Sequence, residues 1–404
     1  AKASDDFDWS EISPTIFGAV FESTLNPETR RSGGMHYTSI ENIHKVIDPL
    51  FLDTLKAEFE EIKGISQEKQ QRQRLDAFQD KLASLTFFDP ACGSGNFLTE
   101  SYVSLRRLEN QVIALRNKGQ AVIGDFANPV KVDIHQFYGI EINDFAVSVA
   151  TTALWIAEQQ MLQETEKIAS FQIKSLPLKA YHNIKEGNAL RIDWSEVIAP
   201  EKLNYIMGNP PFVGLSLRTT AQQEDMDLIF KGNDRAGRLD YVAAWYRKAA
   251  DYMQNTKIEA AFVSTNSIRQ GEQVPILWEE LFQKGIHINF AYRTFIWQSE
   301  ASLKAHVHCV IVGFSYQERA IKTIYENEIG KKVSQINGYL VNADNVFIQL
   351  RGKANPNMPK LVQGNKPWDG GFLILSPEER EELVKKYPEA DSLIRQYIGS
   401  YEFI

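Results

Sequence analysis

From Leu85 onward, short apolar runs alternate with longer stretches of helical periodicity, and few architectures accommodate that alternation. Strand patterns occur at Thr86-Phe87-Phe88, Phe137–Glu141, Tyr181–Ile184, Leu203–Met207, Ile258–Ser264, Ile286–Tyr292 and Val307–Phe314. Between them lie helical patterns over Phe97–Leu115, Asp144–Gln160, Leu239–Met253 and Val274–Gln283. In the first of these helices Leu98, Tyr102, Leu105, Leu108 and Val112 share one face. Such a repeat predicts an α/β fold, a mostly parallel seven-stranded sheet with helices on both faces. Sheets of this class bind ligands in a crevice at the carboxyl ends of their strands. Asp89, Glu141 and Asn209 each fall at or just past the end of a predicted strand, so the chemistry is expected there.

The flanks read differently. Residues 1–82 are predicted as a helical N-terminal extension, interrupted by the glycine-containing loop Arg30–Thr38. Ser39 opens a helix with Ile43, Val46, Ile47 and Leu50 on one face, and residues 61–82 form a polar helix or linker. The core is predicted over 83–318, with residues 117–135 as an inserted loop. Residues 319–404 read as a hairpin around Glu328-Ile329-Gly330-Lys331, then an ordered linker, then a helix started by Ser376-Pro377-Glu378-Glu379, the whole leading toward a further domain expected to be missing from this chain.

Composition excludes several classes. No apolar run approaches the eighteen or so residues that span a bilayer, and the acidic N-terminus lacks a secretory pattern, so no membrane association and a cytoplasmic location are expected. The two cysteines, Cys92 and Cys309, form no ligand cluster, and no metal site is predicted. The balance of 44 basic and 52 acidic residues gives a net charge of -8, awkward for a nucleic-acid binder unless a local basic groove exists. The first residue is not Met and the chain stops at Ile404, which reads as a processed or cut chain.

Two loops carry chemistry. Asp89-Pro90-Ala91-Cys92-Gly93-Ser94-Gly95 joins a strand to a helix, where glycines let the backbone approach a ligand and aim N–H groups at it. A dinucleotide fingerprint would require glycine at 98, where Leu98 stands. Glu141, ending the next strand, can accept bonds from both hydroxyls of a ribose. An ordinary tight turn and a helix-capping glutamate are the plainer readings, but together the two features favour a nucleoside-like cofactor. Further on, Asn209-Pro210-Pro211-Phe212 follows an apolar strand. Its prolines stiffen the backbone and leave carbonyls free. Those carbonyls and the Asn209 side-chain oxygen can accept both hydrogens of an exocyclic amine. Phe212 can stack on a base that has left the duplex. A bare rigid turn is the alternative.

These motifs in this order resemble those of gamma-class adenine-N6 DNA methyltransferases, which use S-adenosylmethionine (SAM). The Gly34-Met35-His36-Tyr37-Thr38 loop precedes the glycine loop, as in that class. Trp9–Gly18, Leu239-Asp240-Tyr241-Val242-Ala243-Ala244-Trp245-Tyr246 and Ala305-His306-Val307-His308 are similar to segments of the methyltransferase domain of MmeI-like type IIG/IIL restriction–modification enzymes. The resemblance covers nearly the whole chain and implies a Rossmann-like SAM-dependent methyltransferase. It places Tyr37 and Thr38 at the methionine end of SAM. Asp89, Ala91, Gly93 and Gly95 cradle its amino-acid portion, with Pro90 and Cys92 in the same loop. Glu141 and Ile142 hold ribose and adenine. Asn188 and Ala189, in Gly187-Asn188-Ala189-Leu190, stand where relatives often carry Asp against the SAM adenine. Asn offers both a donor and an acceptor for that contact.

The resemblance further implies double-stranded DNA with a flipped adenine as partner, and nuclease and target-recognition domains in the full-length protein. Methyl transfer would be direct, with Asn209 and the Pro210 carbonyl orienting the amine. Alternatives are a cytosine-N4 DNA, RNA or protein-glutamine methyltransferase, or an inactive DNA-binding specificity module. Arg218, Lys231, Arg235, Arg238 and Arg269 could contact phosphates, or could belong to a solvated surface shared with Glu224, Asp225, Asp227 and Asp234.

Overall fold

Phe87 and Phe88 are neighbours in the chain yet bury their rings on opposite sides of one sheet. That is the alternation expected of a strand covered on both faces. The computed structural model describes residues 38–117, 129–169, 181–297, 307–348 and 372–396. The chain divides into two units, residues 1–349 and 350–404.

In the first unit the strands are β1 (Phe87–Asp89), β2 (Phe137–Glu141), β3 (Ile184–Glu186), β4 (Tyr205–Gly208), β5 (Glu259–Thr265), β6 (His287–Trp297), β7 (Val307–Ser315), β8 (Lys322–Glu326) and β9 (Ile329–Val333). They form one nine-stranded sheet in the order β3-β2-β1-β4-β5-β7-β6-β8-β9. The run β3-β2-β1-β4-β5 is parallel. β7 lies antiparallel between β5 and β6. The seven anticipated strands are present, and the sheet has nine because the hairpin expected near Glu328 joins its edge: β8 pairs parallel with β6 and antiparallel with β9. β3 starts later than its apolar pattern; ahead of it the buried Tyr181 hydroxyl donates to the Phe137 carbonyl at 2.7 Å.

The helices are α1 (Ile40–Ile47), α2 (Asp53–Lys63), α3 (Glu68–Ser84), α4 (Asn96–Arg116), α5 (Asp144–Ala169), α6 (Thr220–Ile229), α7 (Ala243–Tyr252) and α8 (Glu279–Gln283). α1 to α5 cover the face carrying Phe87, Phe137, Met207 and Val263. α6 to α8 cover the face carrying Phe88, Ile140, Ile206 and Phe262. Ser39 caps α1, its hydroxyl accepting from the Asn42 N–H. The polar stretch before β1 is helix α3, which buries Leu75, Phe78 and Leu82. Between α1 and α2 a π-helical turn spans Asp48–Leu52. The Arg319 guanidinium donates to the Pro49 and Leu50 carbonyls of that turn, each at 2.9 Å, and pairs with Glu259 at 2.7 Å. It thereby fastens the N-terminal helical layer to the sheet.

In the second unit α9 (Pro377–Lys386) begins with the expected cap: the Glu379 N–H donates to the Ser376 hydroxyl and the Ser376 N–H to the Glu379 carboxylate. Among the described residues no helix is long and apolar enough to cross a membrane, and no cluster of three His, Cys, Asp or Glu could hold a metal ion.

Candidate active site

β1 ends at Asp89, and the chain then turns sharply into α4. The Asp89 carboxyl is fully buried. Its Oδ1 accepts from the Ala91 N–H at 2.9 Å, while Oδ2 has no partner among the described residues. Burial, with the nearby Glu141 charge adding to it and the Ala91 bond opposing, pushes this carboxyl up to about 8. Gly93 and Gly95 both adopt left-handed backbone, with φ of +53° and +78°. A Cβ on Gly95 would stand 2.8 Å from the Ala150 Cβ, so only glycine lets the loop lie against α5. A Cβ on Gly93 would meet nothing within 4 Å among the described residues.

Cys92 faces inward. Its N–H donates to the Ile140 carbonyl at 3.1 Å, and its sulfur packs where a Cβ on Gly139 would be 2.9 Å away. Burial drives the Cys92 thiol well above its ordinary value, which disarms it as a nucleophile. Trp245 reaches the same loop, its indole N–H donating to the Pro90 carbonyl at 3.2 Å.

Glu141 ties the second strand to this loop. Its Oε2 accepts from the Gly93 N–H at 2.8 Å and its Oε1 from the Asn143 N–H at 3.0 Å. Burial raises its carboxyl, and these backbone donors oppose that rise. Ile142 beside it is 68% exposed, an apolar side chain left open at the crevice. The Gly187 N–H donates to the Glu141 carbonyl at 2.8 Å, bringing the Asn188 loop alongside. Ala189 is buried. The Asn188 amide was expected to offer both a donor and an acceptor. In the fold its Oδ1 already accepts from the Leu190 N–H and its Nδ2 donates to Asp225, each at 2.9 Å. One amide hydrogen remains for a ligand.

β4 lies beside β1, on the side away from β2. Gly208 packs directly on Asp89: a Cβ there would overlap Oδ1 and sit 3.0 Å from Cγ. Asn209 follows, and its Nδ2 donates to the Thr38 hydroxyl at 3.3 Å. The Asn209 Oδ1 is buried and, among the described residues, has no partner. Pro210 is buried, and Pro211 and Phe212 are half-buried, with Phe212 packed on the core beneath α1 to α5. Tyr37 lies outside the described residues. Adjacent strands are spaced by about 4.8 Å, so the tips of β2 and β4 stand roughly 10 Å apart with Asp89 between them. The three strand ends singled out by the sequence therefore share one crevice.

Residues 65–326 match the family model described as MmeI, DNA-methyltransferase domain. The chain belongs to this MmeI family. Residues 342–404 match the model of the MmeI target recognition domain. The chain is 41% identical over 409 residues to DNA methyltransferase A of Bacillus subtilis (strain 168), covering 98% of the chain and 44% of that protein. Among solved structures it is similar to the type IIL restriction-modification enzyme MmeI in complex with DNA, with 43% identity and a TM-score of 0.91 over 98% of the chain and 53% of that structure. The chain spans about half the length of these relatives.

Within this MmeI-family core, one organising residue escaped the sequence reading. Asp225 on α6 counted there only as an acidic neighbour. In the fold it is buried and accepts from Asn188 at 2.9 Å, Arg191 at 2.5 Å and the Tyr241 hydroxyl at 2.7 Å. Burial works against its ionisation, but these donors outweigh it and hold the carboxyl below its ordinary value. Asp240 plays a similar part nearby, accepting from Thr265 at 3.2 Å and from the Ser267 hydroxyl. Neither signal is local in sequence, since each network joins segments dozens of residues apart.

Proposed function

We propose that the protein transfers the methyl group of SAM to the N6 amine of adenine in DNA, as a cytoplasmic member of a restriction–modification system. The observation that carries this reading is the Asn209 amide: Nδ2 held by Thr38, Oδ1 buried and unpartnered, one residue from the Gly208–Asp89 contact. A buried acceptor without a donor costs free energy, on the order of 1–3 kcal/mol, and persists where a ligand supplies the missing hydrogen. An exocyclic amine supplies it.

The residues present fit SAM. Asp89 Oδ2 is a second buried oxygen without a partner among the described residues; an ammonium group beside it would draw the raised carboxyl back to its ionised form, and the space beside Gly93 leaves room for the amino-acid portion. Glu141 is placed for ribose hydroxyls, exchanging its backbone donors for them, and exposed Ile142 offers an apolar wall for adenine. When bound, SAM supplies an electrophilic methyl group on a sulfonium sulfur. The chain's own contribution is positioning and preorganised polarity. Asn209 Oδ1 and the Pro210 carbonyl accept the two amine hydrogens and turn the nitrogen lone pair toward the donor. Pro211 keeps the turn rigid, and Phe212 stacks on the flipped base.

The test is incubation of the full-length protein with DNA and labelled SAM, followed by mass spectrometry of the nucleosides. N6-methyladenine is expected. N4-methylcytosine, or label in RNA or protein alone, would overturn the assignment.

A further inference from the structure

The structure separates the basic residues near the catalytic turn into two kinds. Arg238 is committed to Glu272 at 2.7 Å, and Lys231 and Arg235 line a surface cleft shared with Glu279 and Glu280. Arg218 and Arg269 are different, and Arg293 joins them. All three are half-buried: Arg218 and Arg269 lie on segments that leave the carboxyl ends of β4 and β5, the edge that carries Asn209, and Arg293 lies within β6.

The guanidinium groups of Arg218 and Arg269 are held by neutral partners, whereas that of Arg293 is paired with a carboxylate. Arg218, six residues beyond Phe212, donates an Nη2 hydrogen to the Gly237 carbonyl at 2.6 Å and feels the charges of Asp240 and Asp227, while Nε and Nη1 are buried without acceptors among the described residues. Arg269 is pinned by Asn266 at 2.6 Å and Thr294 at 2.7 Å, neutral groups that fix its direction and leave its charge intact. Thr294 in turn donates to Asn266 at 2.6 Å, closing a small polar frame around that guanidinium. Arg293 pairs with Glu326 at 3.1 Å, and its Nε is buried without an acceptor. Burial, and then the charge of Arg293, lower the Arg269 guanidinium from its ordinary value, with Glu326 opposing. Two like charges kept close are a condition that an anion relieves. Asp240 links the row to the turn, since it faces both Arg218 and the Thr265–Ser267 segment after β5.

We propose that Arg218, Arg269 and Arg293 form a track along the sheet edge that grips DNA phosphates flanking the adenine drawn toward Asn209. The proposal rests on the DNA reading above. It also accounts for DNA binding by a chain of net charge -8: the grip is local.

The test measures binding of the full-length protein to a mixed-sequence duplex across a salt series. Each phosphate contact contributes about 0.9 to the slope of log affinity against log salt. Over a fourfold rise in salt, each Arg→Gln variant should therefore lose roughly 3.5-fold less affinity than the unaltered protein. The weakening should be similar on unrelated sequences, with SAM affinity unchanged. Arg238→Gln should leave the slope as it was. Arg269→Lys, which keeps the charge in a folded protein, should retain the slope if Arg269→Gln folds poorly. An unchanged slope in all three glutamine variants, a slope lost in Arg269→Lys, or a loss confined to one DNA sequence would overturn the proposal. Steep salt dependence without N6-methyladenine in the product would sink the methylation reading alone.

Discussion

Asn209 and Thr38, 171 positions apart in the chain, meet through a 3.3 Å hydrogen bond in which the amide nitrogen donates to the hydroxyl. In this arrangement the amide nitrogen of Asn209 faces Thr38 and its oxygen faces away from it. With Nδ2 occupied, Oδ1 is presented as an acceptor, the polarity an amine requires.

Asn209→Ala should lower kcat by about 10²–10³, the scale of losing one preorganised transition-state contact. Its affinity for SAM should stay within about twofold, since Asn209 orients the acceptor amine. Thr38→Val should act more mildly: a hydrogen bond worth about 1 kcal/mol corresponds to roughly fivefold in kcat. Steady-state methylation kinetics beside calorimetric SAM titration checks both. Equal loss of catalysis and SAM binding in Asn209→Ala would contradict the role given to it.

Gly208→Ala should damage stability and cofactor binding together. The added methyl would overlap the Asp89 carboxylate, which has no room to retreat because it is fully buried. Overpacking of this kind costs about 1–3 kcal/mol. A thermal melt in the absence of SAM should show a clear loss, with a rise in the SAM dissociation constant beside it. Wild-type behaviour in both measurements would mean that β1 and β4 are spaced more loosely than described.

His44 gives the fold an alkaline limit. Asp48 bonds one ring nitrogen at 2.9 Å and Glu100 the other at 3.2 Å, raising His44 to about 9. Because the folded value lies above the unfolded one, the stabilisation is fully present below about pH 6.5 and is lost as pH rises through 9. His44→Gln should melt lower than the unaltered protein near pH 6, and the gap should close toward about pH 10. A gap of constant size across that range would remove ionisation from the explanation.

Asp225→Asn should raise KM for SAM by roughly tenfold, the scale of a hydrogen bond to a charged group, with kcat little changed. The carboxylate accepts from three donors, and a carboxamide cannot satisfy all of them. Asn188 would then lose its fixed orientation beside the Glu141 loop. A fall in kcat with KM intact would place Asp225 in the chemistry of the turn.

The sequence made the sheet legible because its strands bury both faces and so read as apolar runs, as at Phe87–Phe88 and Ile206–Met207. Asp89, Glu141 and Asn209 were legible because a parallel sheet directs its ligands to strand ends. What stayed hidden came from distant partners. Nothing near Asn188 announces that Asp225, 37 positions later, takes its amide hydrogen. Nothing near Asn209 names Thr38. The hairpin at Glu328 was legible as a hairpin, but its pairing with β6 was not, since edge placement depends on which backbone groups the rest of the sheet leaves open.

The Arg319 stitch to Pro49 and Leu50 also bears on how the protein comes off the ribosome. Those contacts join positions 270 and 269 residues apart. At roughly 5–20 residues per second of synthesis, the two ends of the stitch emerge on the order of half a minute apart. The helical layer that holds Thr38 is thus made early and locked late. A nascent chain that already displays its glycine loop and proline turn still lacks the Arg319 contacts that tie this helical layer to the sheet.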